Sequence, residues 1–435
     1  MGEWARRYFG ELVNETKDGD WGRESMAEGF VPFHVIRGTD FEGVRRGNIS
    51  AVPLRYLPER TVWRRMLQPG DLLLETAGGS RGRSTGRSLL VDQRTMDLFP
   101  GPVTCASFAR FLRIDPAVAD SRYIYWFLQH LHLSGAMWQH QVQHTGVARF
   151  QYTRFAEVQK VFLPPLAEQR AIAEVLGALD DKIVLNERTA VTARQLCRAL
   201  MQAMWAEGGI SSLTDWNTEL RQGWRRTSLG QLCAEGAGAI QTGPFGSQLH
   251  ASDYVQSGIP SVMPQNIGDN VISEDGIARI TGADADRLSK YLLAEGDIVY
   301  SRRGDVKRRA LVREHEAGWL CGTGCLRVRV GASTRPLFIS YYLGEPEIQD
   351  WVAQHAVGAT MPNLNTSILG EVPVVLPPVD VVDGVHERLA ALDRSAVHVT
   401  NENSTLADLR DALLPQLVTG KLRVKDAIRV VEEAV

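Results

Sequence analysis

The segment LPPLAEQRAIAEVLGALDD, beginning at Leu163, returns as LPPVDVVDGVHERLAALDR at Leu376. Identity holds at Leu163/Leu376, both prolines, Glu174/Glu387, Leu176/Leu389, Ala178/Ala391, Leu179/Leu392 and Asp180/Asp393, every pair 213 positions apart without insertion. An internal duplication constrains the fold before any element is named, because both copies must make sense at once. Downstream of the first LPP, apolar or small residues fall at Ile172, Leu176, Leu179, Ile183, Ala190, Ala193, Cys197, Leu200 and Met204, with only Asn186 polar in the stripe. These alternating steps of four and three are a heptad seam. The second copy keeps phase through Val385, Leu389, Leu392, Ala396, Asn403, Leu406, Arg410, Leu413 and Leu417. A helix of about forty residues is roughly 60 Å long, and one narrow stripe cannot bury it in a globule. The economical partner for each copy is the other, which predicts an antiparallel coiled coil with Asn186 and Asn403 fixing register. Pro415 is expected to end or kink the second helix at about Leu414.

At 435 residues the chain exceeds one ordinary core, and the duplication favours two halves. EGGISSLTDWNTELRQG, after the first helix, has glycine and serine without a period and reads as a linker. The remaining regions mix short β-like runs (GDLLLE from Gly70, GDIVYS from Gly296, CLRVRV from Cys325) with short helical ones (SRYIYWFLQHL, PLFISYYLGEP). The expected fold is therefore α+β, with two α/β domains separated by two long antiparallel coiled-coil helices in a pseudo-twofold internal repeat. Its segments are a first domain at 1–160, the first long helix at 161–207, a linker at 208–223, a second domain at 224–378, and the second long helix with a C-terminal tail at 379–435. The matching GD turns are 226 positions apart rather than 213. The halves share a plan and differ in loop length.

Charge interrupts the apolar runs of the first thirty residues, and no long uncharged stretch suits a bilayer, so a soluble, cytoplasmic protein without a membrane partner is expected. Five scattered cysteines encode neither a disulfide framework nor a zinc site. The formal charge of −3 resides in the C-terminal part, where ten acids face seven bases from Asp380 onward. Local patches, not net charge, must carry any contact with phosphates.

Catalytic signatures are missing. Pro164-Pro165 and Pro377-Pro378 follow leucine, where a base-flipping adenine methyltransferase needs Asn or Asp. Gly420-Lys421 lacks the rest of a phosphate loop, and HQVQH from His140 has Gln141 where a zinc protease needs glutamate. CGTGC from Cys321 has ligand-like spacing but no second pair, and a strand turn explains it; no metal site is expected. What remains suits recognition. SRRGDVKRR places Arg302, Arg303, Lys307, Arg308 and Arg309 around a glycine turn, and GGSRGRSTGR places Arg81, Arg83 and Arg87 after a corresponding strand. Such loops fit phosphate contact and arginine readout of guanine. QTGPFGSQL adds Ser247 and Gln248, and MPNLN adds Asn363 and Asn365, as polar groups able to approach base edges, although structural turns explain both equally well. A coiled-coil scaffold without DNA function would explain the heptads but not the paired basic loops.

Together, LPPLAEQRAIAEVLGALDDKI, TGPFGSQLHASDY, GIPSVMPQNI, GDIVYSRRG, MPNLN before LPP, and LLPQLVTGKLRV resemble the specificity subunit of a type I restriction–modification system over essentially the whole chain. The resemblance implies two target-recognition domains on double-stranded DNA with an asymmetric bipartite target. It also implies a non-catalytic role beside two modification (methyltransferase) subunits and the restriction (endonuclease/translocase) subunits. S-adenosylmethionine, ATP and magnesium would then sit on those partners, with no cofactor on this chain. The frame that holds the partners would be the seam of Ile172, Leu176, Leu179, Ile183, Asn186, Val385, Leu389, Leu392 and Asn403. One departure is that Glu168-Gln169-Arg170 become Val381-Val382-Asp383 in the second copy.

Overall fold

A computed structural model describes residues 4–78, 84–143, 147–358 and 361–434. The chain divides into two compact units, Met1–Glu187 with Thr400–Val435, and Arg188–Val399. Both boundaries fall inside long helices, so each unit comprises one α+β body and one half of each helix.

In the first unit an antiparallel sheet has the spatial order Val13–Asp18, Ala109–Ile114, Asp71–Glu75, Ser88–Val91. Beside it Phe30–Ile36 pairs antiparallel with Leu54–Pro58 and parallel with Val103–Cys105. The second unit repeats the plan. Its sheet runs Ala239–Thr242, Cys325–Arg329, Ile298–Ser301, Arg309–Leu311, and Ile259–Val262 pairs antiparallel with Ala278–Ile280 and parallel with Leu320–Cys321. The GD turns lead into the buried strands. Successive residues point to opposite faces, so Leu72 and Leu74 enter one core and Leu73 another, as Ile298 and Tyr300 do against Val299. Each GD aspartate is buried and held by an arginine of the neighbouring strand: Asp71 by Arg113 (2.9 Å) and Asp297 by Arg329 (2.7 and 2.6 Å).

A two-stranded ribbon feeds each LPP: Ala5–Tyr8 with Lys160–Leu163, and Arg225–Ser228 with Pro373–Leu376. Both helices then start alike, since proline lacks an amide hydrogen that a helix start does not need. The Pro165 carbonyl accepts from Glu168 and Gln169, and that of Pro378 from Val381 and Val382. The helices are Leu166–Glu207 and Val379–Val418. In the first unit Ile172, Leu176, Leu179 and Ile183 share a core with Leu406, Leu413 and Leu417. Asn186 donates to Glu402 (2.7 Å), Asn403 to the Ile183 carbonyl (3.1 Å), and Arg410 to Asp180 (2.6 Å). Rising numbers on one helix meet falling numbers on the other, which makes the pair antiparallel. The two asparagines each bond the facing helix rather than one another. In the second unit Ala190 and Ala193 meet Ala396, flanked by Leu392, while Cys197 donates to the Leu389 carbonyl and Val385 packs at the margin of the core.

One expectation changes, and two segments gain detail. The second helix does not stop at Leu414 but continues through Pro415 to Val418, because the lost hydrogen bond lies in the last turn and Leu417 and Val418 are fully buried. The linker is docked: the Glu347 carboxylate accepts from the Leu213 and Thr214 amides and the Thr214 hydroxyl, and Leu213 is buried. The C-terminal tail forms a helix, Val424–Ala434, whose Ala427 is buried in the first unit's core.

The aspartate closing each apolar stripe is a docking post. Asp180 receives Arg45 of the first α+β body and Arg410 of the facing helix, each at 2.6 Å. Its repeat, Asp393, receives Arg313 of the second body (2.9 Å to one oxygen) and the Tyr341 hydroxyl (3.2 Å). The place that Arg410 fills in the first unit is held in the second by Cys197, which lies 213 positions earlier.

Candidate nucleic-acid interface

In the second unit the strand Ile298–Ser301 delivers the basic loop, and a strap of Pro362, Asn363 and Leu364 clamps it. Arg302 donates its amide to Gly324 (2.8 Å) and accepts at its carbonyl from Leu364 (2.9 Å), Arg303 bridges Asn363, and Gly304 turns with φ +76. The Arg302 side chain bonds the Leu364 carbonyl (3.2 Å), with its guanidinium 6.0 Å from the Phe245 ring. Arg303 is exposed and makes no ion pair among the described residues. Lys307 pairs with Asp350 (2.7 Å) and Arg308 with Asp305 (3.1 Å), both near solvent, where such pairs exchange readily for phosphate.

Arg309 does not belong to this surface. It is 2 % exposed, donates to the Ser340 carbonyl (2.7 Å) and faces Asp269. Alternation along Arg309–Leu311 turns it inward, and Gly344 leaves room that a side chain would fill. Asn365 is likewise committed, capping the helix Thr366–Gly370 through the Ile368 amide (2.8 Å). Asn363 pairs its backbone with Val357, and its buried Oδ1 has no partner among the described residues. Ser247 is exposed. Gln248 braces its own turn, its Oε1 accepting from the Phe245 amide (3.2 Å) and the Tyr291 hydroxyl (2.9 Å).

The first unit is built differently at the same place. Arg81 and Arg83 lie outside the described residues. Arg87 forms two bonds (3.0 and 2.6 Å) to buried Glu75, so its charge is spent inside the body. Ala77 pairs with Arg149 as Arg303 pairs with Asn363, and Ala77 and Arg303 are 226 positions apart like the GD turns. The arginines expected to be equivalent are therefore not: Thr76 and Ala77 stand where Arg302 and Arg303 stand, and exposed Arg149 supplies the cation from the opposite strand. Sequence reading missed it, although TGVARFQYTR carries a glycine and two arginines flanking two aromatics. Nearby, Arg110, Gln151, Tyr152 and Arg154 line a polar cleft of about 530 Å³, with Arg110 held by Asp18 (2.9 Å) and lying over the Tyr152 ring.

The cysteines and the first histidine weighed from sequence as metal ligands are packed in the interior. Burial pushes the Cys321 thiol up to about 12 and raises Cys325 well above its usual value, as suits a packed strand turn. His140 is buried against Phe150 and Phe155. Among the described residues no group of three His, Cys, Asp or Glu is placed to hold a metal, and no helix is long and apolar enough to cross a membrane.

One α+β body occurs twice, each copy tied to half of an antiparallel helix pair and carrying different residues at the corresponding sheet edge, which defines a duplicated two-body protein on a helical frame. In sequence and fold it is similar to type I restriction specificity subunits. The MjaVIII specificity subunit of Methanocaldococcus jannaschii is 20 % identical over 317 residues, 71 % of this chain and 72 % of that one. The EcoBI specificity subunit of Escherichia coli is 23 % identical over 290 residues, 60 % of this chain but only 58 % of that subunit's length. The crystal structure of the type I S subunit from M. genitalium superposes with a TM-score of 0.58 at 16 % identity, covering 95 % of this chain and 96 % of the other. No family model matches the sequence.

Proposed function

We infer that this chain is the DNA-specificity subunit of a type I restriction–modification complex. The observation that carries the reading is one α+β body used twice, with its recognition edge rebuilt from different residues each time. A duplicated frame with divergent edges suits an asymmetric target of two half-sites. The docking posts at Asp180 and Asp393 hold each body to the helices, so that the helix pair sets the separation of the half-sites. Two modification subunits would bind the repeated frame, restriction subunits would join the complex, and the methyl donor, ATP and magnesium would reside on those partners. In this reading the chain itself catalyses nothing.

The test is methylome sequencing of the host with and without the gene. An asymmetric, two-part methylated motif that disappears with the gene is expected, its halves about one helical turn apart. A palindromic motif, or an unchanged methylome in a host whose modification subunits are expressed, overturns the reading. A salt-dependent gel shift with the purified complex separates it from a scaffold without DNA function.

A further inference from the structure

The two units share a turn that the LPP repeat does not reveal. Gly19-Asp20-Trp21-Gly22 and Gly243-Pro244-Phe245-Gly246 are 224 positions apart, and each follows the first strand of its four-stranded sheet, Val13–Asp18 or Ala239–Thr242. The leading glycines are equivalent. The Gly19 amide bonds the Ala109 carbonyl (2.9 Å) and that of Gly243 the Cys325 carbonyl (3.0 Å). A side chain on Gly19 would collide with the carbonyls of Cys105 and Ala106, and one on Gly243 with those of Cys321 and Gly322.

The aromatic residue at the tip has opposite fates. Trp21 packs on the cluster of Phe33, Leu57 and Val62, under the Arg55 guanidinium 4.1 Å from its ring. Phe245 is 55 % exposed and joins no buried cluster. Singly exposed apolar side chains are ordinary, but this one stands on a turn that cannot fold it away. The Gln248 amide donates to the Phe245 carbonyl (2.8 Å), the Gln248 side chain accepts the Phe245 amide, and Arg287 and Tyr291 hold Gln248 in turn. Beside it lies Arg302 and, next in the chain, the exposed Arg303. A rigid apolar tip with a cationic rim matches a DNA groove, where arginines meet phosphate or guanine and an aromatic edge meets a thymine methyl.

We propose that Phe245 is a specificity-determining residue of the second unit, making the apolar contact to one thymine-bearing base pair of that unit's half-site. This rests on the function inferred above. The test uses the full chain in complex with modification subunits, titrated against duplexes that carry the motif found by methylation mapping. Phe245→Ala is expected to lose at least fivefold in affinity for the cognate duplex and none for an unrelated one, with Phe245→Leu between the two. Replacing thymines by uracil one at a time should weaken the wild type at one position of the second half-site and leave Phe245→Ala indifferent there. Cognate binding by Phe245→Ala within twofold of wild type overturns the proposal, as does an equal loss on unrelated DNA. A wild-type complex that fails to distinguish cognate from unrelated DNA overturns the inferred function itself, whatever the variant does.

Discussion

Asp180 shows how one side chain serves both helix and body. Its carboxylate bridges Arg45 and Arg410 in a site where its own side chain is 13 % exposed. Burial alone would lower the Arg45 pKa, but Glu42 and Asp180 outweigh it and hold the guanidinium well above its usual range. Removing the acid leaves Arg45 and Arg410 sharing the site with only Glu42 and Asp411, one on each, to balance them, so Asp180→Ala should cost about 3 kcal/mol or somewhat less. Urea unfolding checks this, and the further loss on adding Arg410→Ala should be much smaller than that of Arg410→Ala alone, as for members of one network. Glu345 gives a pH signature. Burial is the main cause that raises its carboxyl to about 7 from the usual 4.5. Between those values the folded state keeps a proton that the unfolded chain releases, so this group's contribution falls as pH rises through the window and stays low above it. Glu345→Gln should therefore be more stable than wild type by about 2 kcal/mol near pH 8, the gain shrinking towards pH 5. Equal unfolding midpoints at both pH values would contradict this.

At the scale of elements, the loop after Ile298–Ser301 separates arginines by the direction the backbone gives them. Arg303, fixed by the strap and exposed, is expected to read a base: Arg303→Ala should cost about 1–3 kcal/mol at one base pair of the second half-site. Arg308, near solvent and only lightly paired, suits phosphate, and its loss should lower the salt slope by about one while weakening all sequences alike. Arg309→Ala should instead lower the unfolding midpoint and leave the salt slope unchanged, since it empties a buried site beside Ser340. Binding titrations across ionic strength, with an unfolding curve for each variant, separate the three. Ile172 and Leu176 are also interior, so truncating both would loosen the helix before it informed on any partner.

At the scale of the whole molecule, the two long helices keep heptad phase through both units, and deleting one heptad from each, 186–192 with 399–405, restores the seam on either side. In the inferred function this should shorten the spacer between the half-sites and leave both half-site sequences alone. Methylation mapping with the shortened chain checks it, and an unchanged spacer would show that the helices do not set the distance.

The sequence by itself determined what is periodic or duplicated. The LPP repeat, the a/d stripe and the GD strands follow from local spacing, and an antiparallel pair follows because two long one-striped helices in one chain have only each other to bury against. The tertiary structure decided what depends on side-chain direction across distant strands. Arg87, Arg309 and Asn365 read as surface groups in a linear string, but Glu75 binds the first, strand alternation turns the second inward, and a helix amide takes the third. Conversely, Arg149 and Phe245 gain their places only once a paired strand holds the first and a braced turn the second. Charge and aromaticity are written in the chain; whether they face solvent or a buried partner is fixed by backbone direction and by groups from three positions away, as Ile368 is from Asn365, to 31, as Ser340 is from Arg309.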